Sequence, residues 1–298
     1  MKIGVIGGGA IGLLFSYYLS EHHSICLYVH SKEQLDTINE EGLLFEKNGQ
    51  IIRKVIPVKL FSEWCGEDEV TLIAVKQYHL SNIIPLLSPF NCRKNAFLFL
   101  QNGMGHLKWF DRIKGDICVG TIEHGALKIN SNHVVHTGIG STKIALFRGS
   151  QSKFQHFIES IDDPFFPFMM VEDYEEMLLK KLVVNAVINP LTSILQIKNG
   201  ELIQNPHYFQ IVKGLFAEIQ ESLHLQKPEH YFNNIITVCE QTAKNKSSML
   251  RDLEENRPTE VEAILGYIVE KAIEKEIHTP IIEVFYRAVK GKEFRVED

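Results

Sequence analysis

Two groups of residues have the types and spacing for chemistry. The first is Gly7-Gly8-Gly9-Ala10-Ile11-Gly12, a G-x-G-x-x-G pattern between an apolar run and a helix-like run. Gly7 permits a tight turn, Gly9 lets the backbone approach a pyrophosphate, and Gly12 allows close helix–strand packing. A helix opening at Ala10 offers free N–H groups and the positive end of its dipole to phosphates. The expected ligand is a dinucleotide. The second group lies in Lys181-Leu182-Val183-Val184-Asn185-Ala186-Val187-Ile188-Asn189-Pro190. Lys181, Asn185 and Asn189 are spaced i, i+4, i+8 and share one helix face. All residues between them are apolar, so most of this helix should be buried. A buried lysine and two amides cost free energy unless each finds a polar partner. A solvated face usually carries more charge and fewer asparagines, so this stripe suits a cleft that binds a polar small molecule. Pro190 disfavours helical geometry at Asn189, where a kink is expected.

Cofactor choice turns on the end of the second strand, Tyr28-Val29-His30-Ser31-Lys32. An NAD-preferring site usually places an acid there for the ribose hydroxyls; no acid appears until Glu33. The Ser31 hydroxyl and the Lys32 cation better suit a 2′-phosphate, which favours NADP. His30 is a weaker candidate, equally explained by packing. A further constellation runs through Asn245-Lys246-Ser247-Ser248-Met249-Leu250 and Arg257-Pro258-Thr259-Glu260-Val261-Glu262. Thr259 and Glu262 read as a capping box for the helix that follows. Spacing alone leaves Glu260 unassigned.

The elements that must position these residues fall into two sets. Strand-like runs at Lys2–Ile6, Ile25–Val29, Val70–Val75 and Ala96–Leu100 alternate with helix-like runs at Ala10–Ser20, Ser31–Asn39 and Tyr78–Leu87. Asn48-Gly49 signals a hairpin between Leu43–Lys47 and Ile51–Val58. Further strands are expected at Asp116–Gly120, Gly125–Ile129, Val134–Thr137 and Lys143–Phe147. The alternation predicts a Rossmann-type, doubly wound α/β domain over residues 1–170. Long helical periods then dominate, at 174–197, 208–224, 230–246 and 261–277, so residues 171–298 should form a mainly helical domain that holds the substrate.

Composition excludes several classes. With 31 basic and 37 acidic residues, the net charge of −6 gives no basic excess for whole-surface nucleic-acid binding. Cys26, Cys65, Cys92, Cys118 and Cys239 form no C-x-x-C pair, a poor basis for a disulfide framework or a metal site. They read as mostly buried side chains in a reducing compartment. The uncharged stretch Ile3–Ser20 could mimic a membrane segment, but Gly7, Gly8 and Gly9 break it, each costing about 1 kcal/mol in a helix interior. A cytoplasmic protein with no membrane contact is expected.

Together these residues carry a resemblance. Gly7-x-Gly9-x-x-Gly12, Val75-Lys76, Gln101-Asn102-Gly103-Met104-Gly105, Lys181 with Asn185, Asn189-Pro190-Leu191-Thr192, Asn199-Gly200-Glu201, Ser247-Ser248-Met249-Leu250 and Thr259-Glu260 stand in one order. In that order the chain resembles the 2-dehydropantoate 2-reductase (ketopantoate reductase) family over essentially its whole length. The resemblance implies NADPH-dependent reduction of ketopantoate to (R)-pantoate, a step in pantothenate and coenzyme A biosynthesis. It implies Lys181 as the general acid that protonates the ketone oxygen, a role that a partly desolvated lysine can fill. By the same resemblance Asn185, Asn189, Asn199, Asn245, Ser247 and Ser248 hold the substrate's hydroxyl and carboxylate. Glu260 orients substrate or cofactor, Lys76 and Asn102 line the nicotinamide side, and backbone near Ala126 touches the cofactor. Many relatives have arginine near the end of the second strand, where His30, Ser31 and Lys32 stand here. The rival readings are a related dehydrogenase acting on another 2-keto or 3-hydroxy acid, and a dinucleotide-binding regulator without turnover. The oligomeric state, a homodimer included, stays open.

Overall fold

Residues 1–87 and 95–294 are described in the computed structural model, and Cys92 lies outside them. The chain divides into one unit of Met1–Gln101 with His106–Met177 and a second of Asn102–Gly105 with Leu178–Asp298. The first unit runs β1 (Lys2–Ile6), α1 (Ala10–Leu19), β2 (Ser24–Val29), α2 (Lys32–Glu41), β3 (Leu43–Lys47), β4 (Gln50–Lys54), β5 (Val58–Leu60), β6 (Val70–Ile73) and α3 (Leu80–Leu87). It continues with β7 (Ala96–Phe99), β8 (Asp116–Ile122), β9 (Gly125–Lys128), β10 (His133–Gly138), β11 (Thr142–Arg148), α4 (Ser152–Glu159) and β12 (Phe168–Val171).

Eight strands form one sheet in the order β12-β11-β8-β7-β6-β1-β2-β5. From β5 to β8 every neighbour pair is parallel. Ile3, Val5, Leu27, Val29, Val70 and Leu72 are all fully buried, as a sheet covered on both faces demands. The chain leaves β1 for β2 and β5 on one side, then returns to β6 on the other. Ligands of such sheets bind outside the carboxyl ends of the strands at this switch point. There the glycine loop follows β1 and Lys76 follows β6. Against the sheet, α1 buries every residue from Gly12 to Leu19. Each of its fully buried leucine and phenylalanine side chains contributes roughly 1.5–3 kcal/mol.

The hairpin turns at Asn48 and Gly49, with φ of 52° and 77°, the left-handed pair its sequence calls for. The expected single run from Ile51 to Val58 is in fact two strands in two sheets. β4 belongs to a four-stranded sheet of order β4-β3-β10-β9, whereas β5 lies parallel to β2. Pro57, which has no N–H for a ladder, sits at the break. Among the described cysteines none is paired; Cys118 and Cys239 are buried, Cys26 is half-buried and Cys65 is exposed. Burial therefore accounts for only part of the set.

The helical part runs α5 (Tyr174–Leu195), α6 (Glu201–Gln204), α7 (Pro206–Leu223), α8 (Pro228–Gln241), α9 (Ser248–Glu254), a π-helical turn (Glu262–Gly266), α10 (Tyr267–Glu274) and α11 (Pro280–Glu293). The division between the units falls inside α5. Asp173 caps this helix, its Oδ1 accepting from the Glu176 N–H at 2.9 Å. By length and composition α5 could cross a membrane, but most of that stretch is buried in the protein. Pro190 does not interrupt it: the helix continues to Leu195 and Asn189 is helical. A mid-helix proline costs about 3 kcal/mol, and burial of every residue from Ala186 to Ser193 offsets it.

One buried network ties α1 to the smaller sheet. The Gly140 N–H can only donate, and it reaches His124 Nδ1 at 3.2 Å, so this nitrogen carries no proton. His136 Nε2 then donates to the same atom at 3.2 Å, and the Tyr18 hydroxyl donates to His136 Nδ1 at 2.8 Å. Both rings are neutral. Burial pushes His124 down to about 4 and the fully enclosed His106 down to about 3. The unfolded chain titrates these groups near 6.5 and so binds more protons below that pH. Their contribution is complete above about pH 6.5 and falls as pH drops toward 4, by about 1.4 kcal/mol per pH unit for each group. Thermal melts should show a lower Tm at pH 5 than at pH 7, and His106→Leu should flatten that dependence. An unchanged pH slope in the folded variant would contradict this role for His106.

Candidate active site

In the first unit the glycine loop is held from several directions. The Gly7 N–H donates to Tyr28 O at 2.9 Å, and Gly7 has a φ of 117°. A Cβ there would sit 2.9 Å from Val75 Cγ1, so the loops after β1 and β6 touch. A Cβ on Gly12 would lie 1.7 Å from Gly7 O, which makes glycine obligatory for the helix to start so close to the strand. Gly9 differs. Its φ of −78° and ψ of −176° suit any residue, and a Cβ there would meet no protein atom within 4 Å. The first helical bond runs from the Leu13 N–H to Gly9 O at 2.9 Å, and no side chain caps the amides before it. These unbonded amides and the open space over Gly9 fit the pyrophosphate of a dinucleotide.

Two side chains fix the loop's outer carbonyl. Gln34 Nε2 and Lys128 Nζ both donate to Gly8 O at 2.8 Å, and Gln34 also reaches Ser131 O at 2.6 Å. Lys128 thus brings an ammonium group to the loop from β9, two residues beyond the half-buried Ala126. Contacts across 26 and 120 residues leave no local signal in the sequence. Ser31 Oγ accepts from the Gln34 N–H at 3.2 Å as the cap of α2. Its own O–H remains available to donate. His30, Ser31 and Lys32 are exposed and Lys76 is half-buried. Burial holds His79 below its ordinary value, and His30 and Lys76 push it the same way. His79 therefore lies near His30 and Lys76, at the ends of β2 and β6, as an uncharged ring at neutral pH.

In the second unit, Lys181 and Asn185 are half-buried and Asn189 is buried on one face of α5. Thr192 extends the face. Its hydroxyl donates to Ile188 O at 2.7 Å and lies 2.8 Å from Ser247 Oγ. Beyond the helix, the Asn199 and Gly200 N–H groups donate to Asn245 O at 3.1 Å and Ala243 O at 3.2 Å. A Cβ on Gly200 would lie 2.6 Å from Ala243 Cβ, so glycine permits this pairing. Asn199 Nδ2 donates to Thr242 Oγ1 at 2.8 Å. Its buried Oδ1 has no hydrogen-bond partner among the described residues, which leaves an acceptor for a ligand. Asn245 and Ser248 are exposed. Ser247 is buried and caps α9, accepting from the Leu250 N–H at 3.1 Å.

Asn102 and Glu260 meet within this unit, Asn102 Nδ2 donating to Glu260 Oε2 at 2.7 Å. Gly103 makes that approach possible. Its φ is 78°, and a Cβ would lie 2.1 Å from Ala263 O in the π-helical turn. The expected capping box of Thr259 and Glu262 does not form. Thr259 Oγ1 accepts from the Val261 N–H at 3.1 Å, and Glu262 Oε2 accepts from the Tyr286 hydroxyl at 2.7 Å. The wider π-helical turn takes Glu262 away from the helix start, and the Thr259 N–H donates instead to Glu293 Oε1 at 2.6 Å.

Residues 3–149 match the family model described as ketopantoate reductase PanE/ApbA, and residues 173–293 match its C-terminal counterpart. The chain is 35% identical over 297 residues to a 2-dehydropantoate 2-reductase of Bacillus subtilis (strain 168), covering 98% of both proteins. A crystal structure of a probable 2-dehydropantoate 2-reductase from Bacillus subtilis matches with a TM-score of 0.90 at 34% identity, over 98% of this chain and 100% of that one. A D-mandelate dehydrogenase with NADH and anilino(oxo)acetate also gives a TM-score of 0.90, at 21% identity and over 98% of both chains. That second likeness is one of fold.

Proposed function

The chain belongs to the ketopantoate reductase family, and from that premise we propose that it reduces 2-dehydropantoate to (R)-pantoate with NADPH, a step toward pantothenate and coenzyme A. The observation that carries the reading is the polar face of α5, where Lys181, Asn185 and Asn189 stand among buried apolar residues. One cation and a set of amides match a small molecule with a ketone, a carboxylate and a hydroxyl. The bound reduced nicotinamide supplies the hydride. Lys181 places its ammonium on the ketone oxygen, polarises the carbonyl, and gives up a proton as the carbon is reduced. Asn185 and Asn189 orient the carboxylate and hydroxyl, with Asn245 and the exposed Ser248 beside them. Asn199 Oδ1, without a donor among the described residues, suits the substrate's O–H. Glu260 fixes Asn102 and holds the substrate side of the site in place. Gly7 to Gly12, Lys76 and Ala126 hold the dinucleotide.

The experiment compares kcat/KM for 2-dehydropantoate, pyruvate and phenylglyoxylate with NADPH and NADH. The reading expects 2-dehydropantoate with NADPH to lead. A preference for phenylglyoxylate would assign the chain to another 2-keto acid.

Cofactor choice rests on the Ser31 hydroxyl and the Lys32 cation at the end of β2. A charge-assisted hydrogen bond to the 2′-phosphate is worth roughly 1.5–3 kcal/mol, or about tenfold to a hundredfold in affinity. Lys32→Ala should therefore raise KM for NADPH by that factor and leave KM for NADH nearly unchanged. Equal effects on both cofactors would make Lys32 an ordinary surface cation.

A further inference from the structure

We infer that Glu293, on the C-terminal helix α11, is a positioning residue that sets Glu260 for turnover. The inference rests on the role given to Glu260 above. Glu260 is only 8% exposed, and its carboxylate is joined to Asn102 at 2.7 Å. The residue before it, Thr259, is 4% exposed and lies two residues ahead of the helical segment that starts at Val261. Its buried N–H needs an acceptor. Glu293 provides one from 34 residues away, at 2.6 Å. Burial alone would push the Glu293 carboxyl up, but hydrogen bonds from the Thr259 hydroxyl and N–H and from Lys290 hold it below the usual range. The acceptor is therefore a carboxylate at neutral pH.

α11 grips the same segment a second time through the Tyr286 hydroxyl on Glu262 at 2.7 Å. The π-helical turn starts at the second of these anchors, Glu262, and Gly103 is pressed against its Ala263 carbonyl. Such turns recur at functional sites because they re-aim neighbouring side chains. Here the turn frees Glu262 for Tyr286 and leaves the helix start to Glu293. Glu260 is thus held between two residues that α11 bonds, Thr259 and Glu262, and at its carboxylate oxygen by Asn102.

Glu293 also borders a cavity of ≈ 170 Å³ with Leu253, Asn256, Arg257, Pro258 and Lys292. Truncation there creates no clash, so a folded variant is expected. Displacement of a site residue by about 1 Å can cost up to ~100-fold in rate. Glu293→Ala should lower kcat/KM for the keto acid by about tenfold to a hundredfold, with dinucleotide affinity unchanged. Glu293→Gln keeps an acceptor oxygen and should recover most of the loss. Hydrogen exchange at the Thr259 amide should accelerate in Glu293→Ala and stay slow in Glu293→Gln, whatever the substrate.

The deciding readout is the pair of variants combined. If Glu293 acts through Glu260, Glu293→Ala costs nothing further in a Glu260→Ala background. The same fold-loss in that background, or a folded Glu293→Ala with wild-type kcat/KM, overturns the positioning role. A wild-type protein that reduces no 2-keto acid overturns the functional reading instead.

Discussion

Gly9→Val should fold like the wild type and fail to bind a dinucleotide. The φ and ψ of Gly9 suit any residue, and a Cβ there would meet no protein atom within 4 Å. Among the described residues nothing requires glycine at this position. Substitution at such a site normally moves stability by about 0.5 kcal/mol or less. The isopropyl group would instead occupy the space in front of the unbonded amides at the start of α1. Losing two charge-assisted bonds of roughly 1.5–3 kcal/mol each weakens binding by at least about a hundredfold. Gly12→Ala is the contrasting case, because its Cβ would lie 1.7 Å from Gly7 O and the loop itself must shift. Titration with NADPH and a thermal melt separate the two. Unweakened binding by a folded Gly9→Val protein would contradict the cradle.

Lys181→Ala should abolish most turnover while leaving dinucleotide affinity nearly intact. The side chain is assigned two jobs, polarising the ketone and protonating its oxygen. General acid catalysis contributes typically ~10²–10⁴-fold, and a well-placed charge on the developing oxyanion adds about 10²–10³-fold. Lys181 lies in the unit that begins at Leu178 and the glycine loop in the other, so binding of NADPH should change little. Lys181→Arg keeps a cation but cannot release its proton near neutrality. It should recover some polarisation and remain well below wild type. Glu260→Ala should cost less than Lys181→Ala, since it removes a supporting group.

What the sequence reveals here is what short spacing encodes. The G-x-G-x-x-G loop, the Ser31 cap and the Asn48-Gly49 turn each lie within a few residues. The Lys181, Asn185, Asn189 stripe is readable because a helix repeats every 3.6 residues. Thr192 sits three residues past Asn189 on the same face and could have been added by the same count. Other features depend on residues far apart in the chain. Lys128 reaches Gly8 across 120 positions, and Glu293 reaches Thr259 across 34. The Thr259 and Glu262 spacing satisfies a capping box on paper, yet the π-helical turn and Tyr286 take Glu262 away. Pro190 reads as a disturbance, and burial of its neighbours overrides that local preference. The split of Ile51–Val58 between two sheets follows from partners in β2 and β3 that no local pattern names.

The central claim is that Lys181 delivers the proton in the reduction of a 2-keto acid. The most direct measurement is a single turnover. Protein saturated with NADPH is mixed with 2-dehydropantoate, and loss of absorbance at 340 nm is followed in wild type and in folded Lys181→Ala. Loss of both of its roles predicts that the hydride-transfer rate falls by at least about a hundredfold. A single-turnover rate within about tenfold of wild type would mean that another group gives the proton, and the site built on α5 would be wrong.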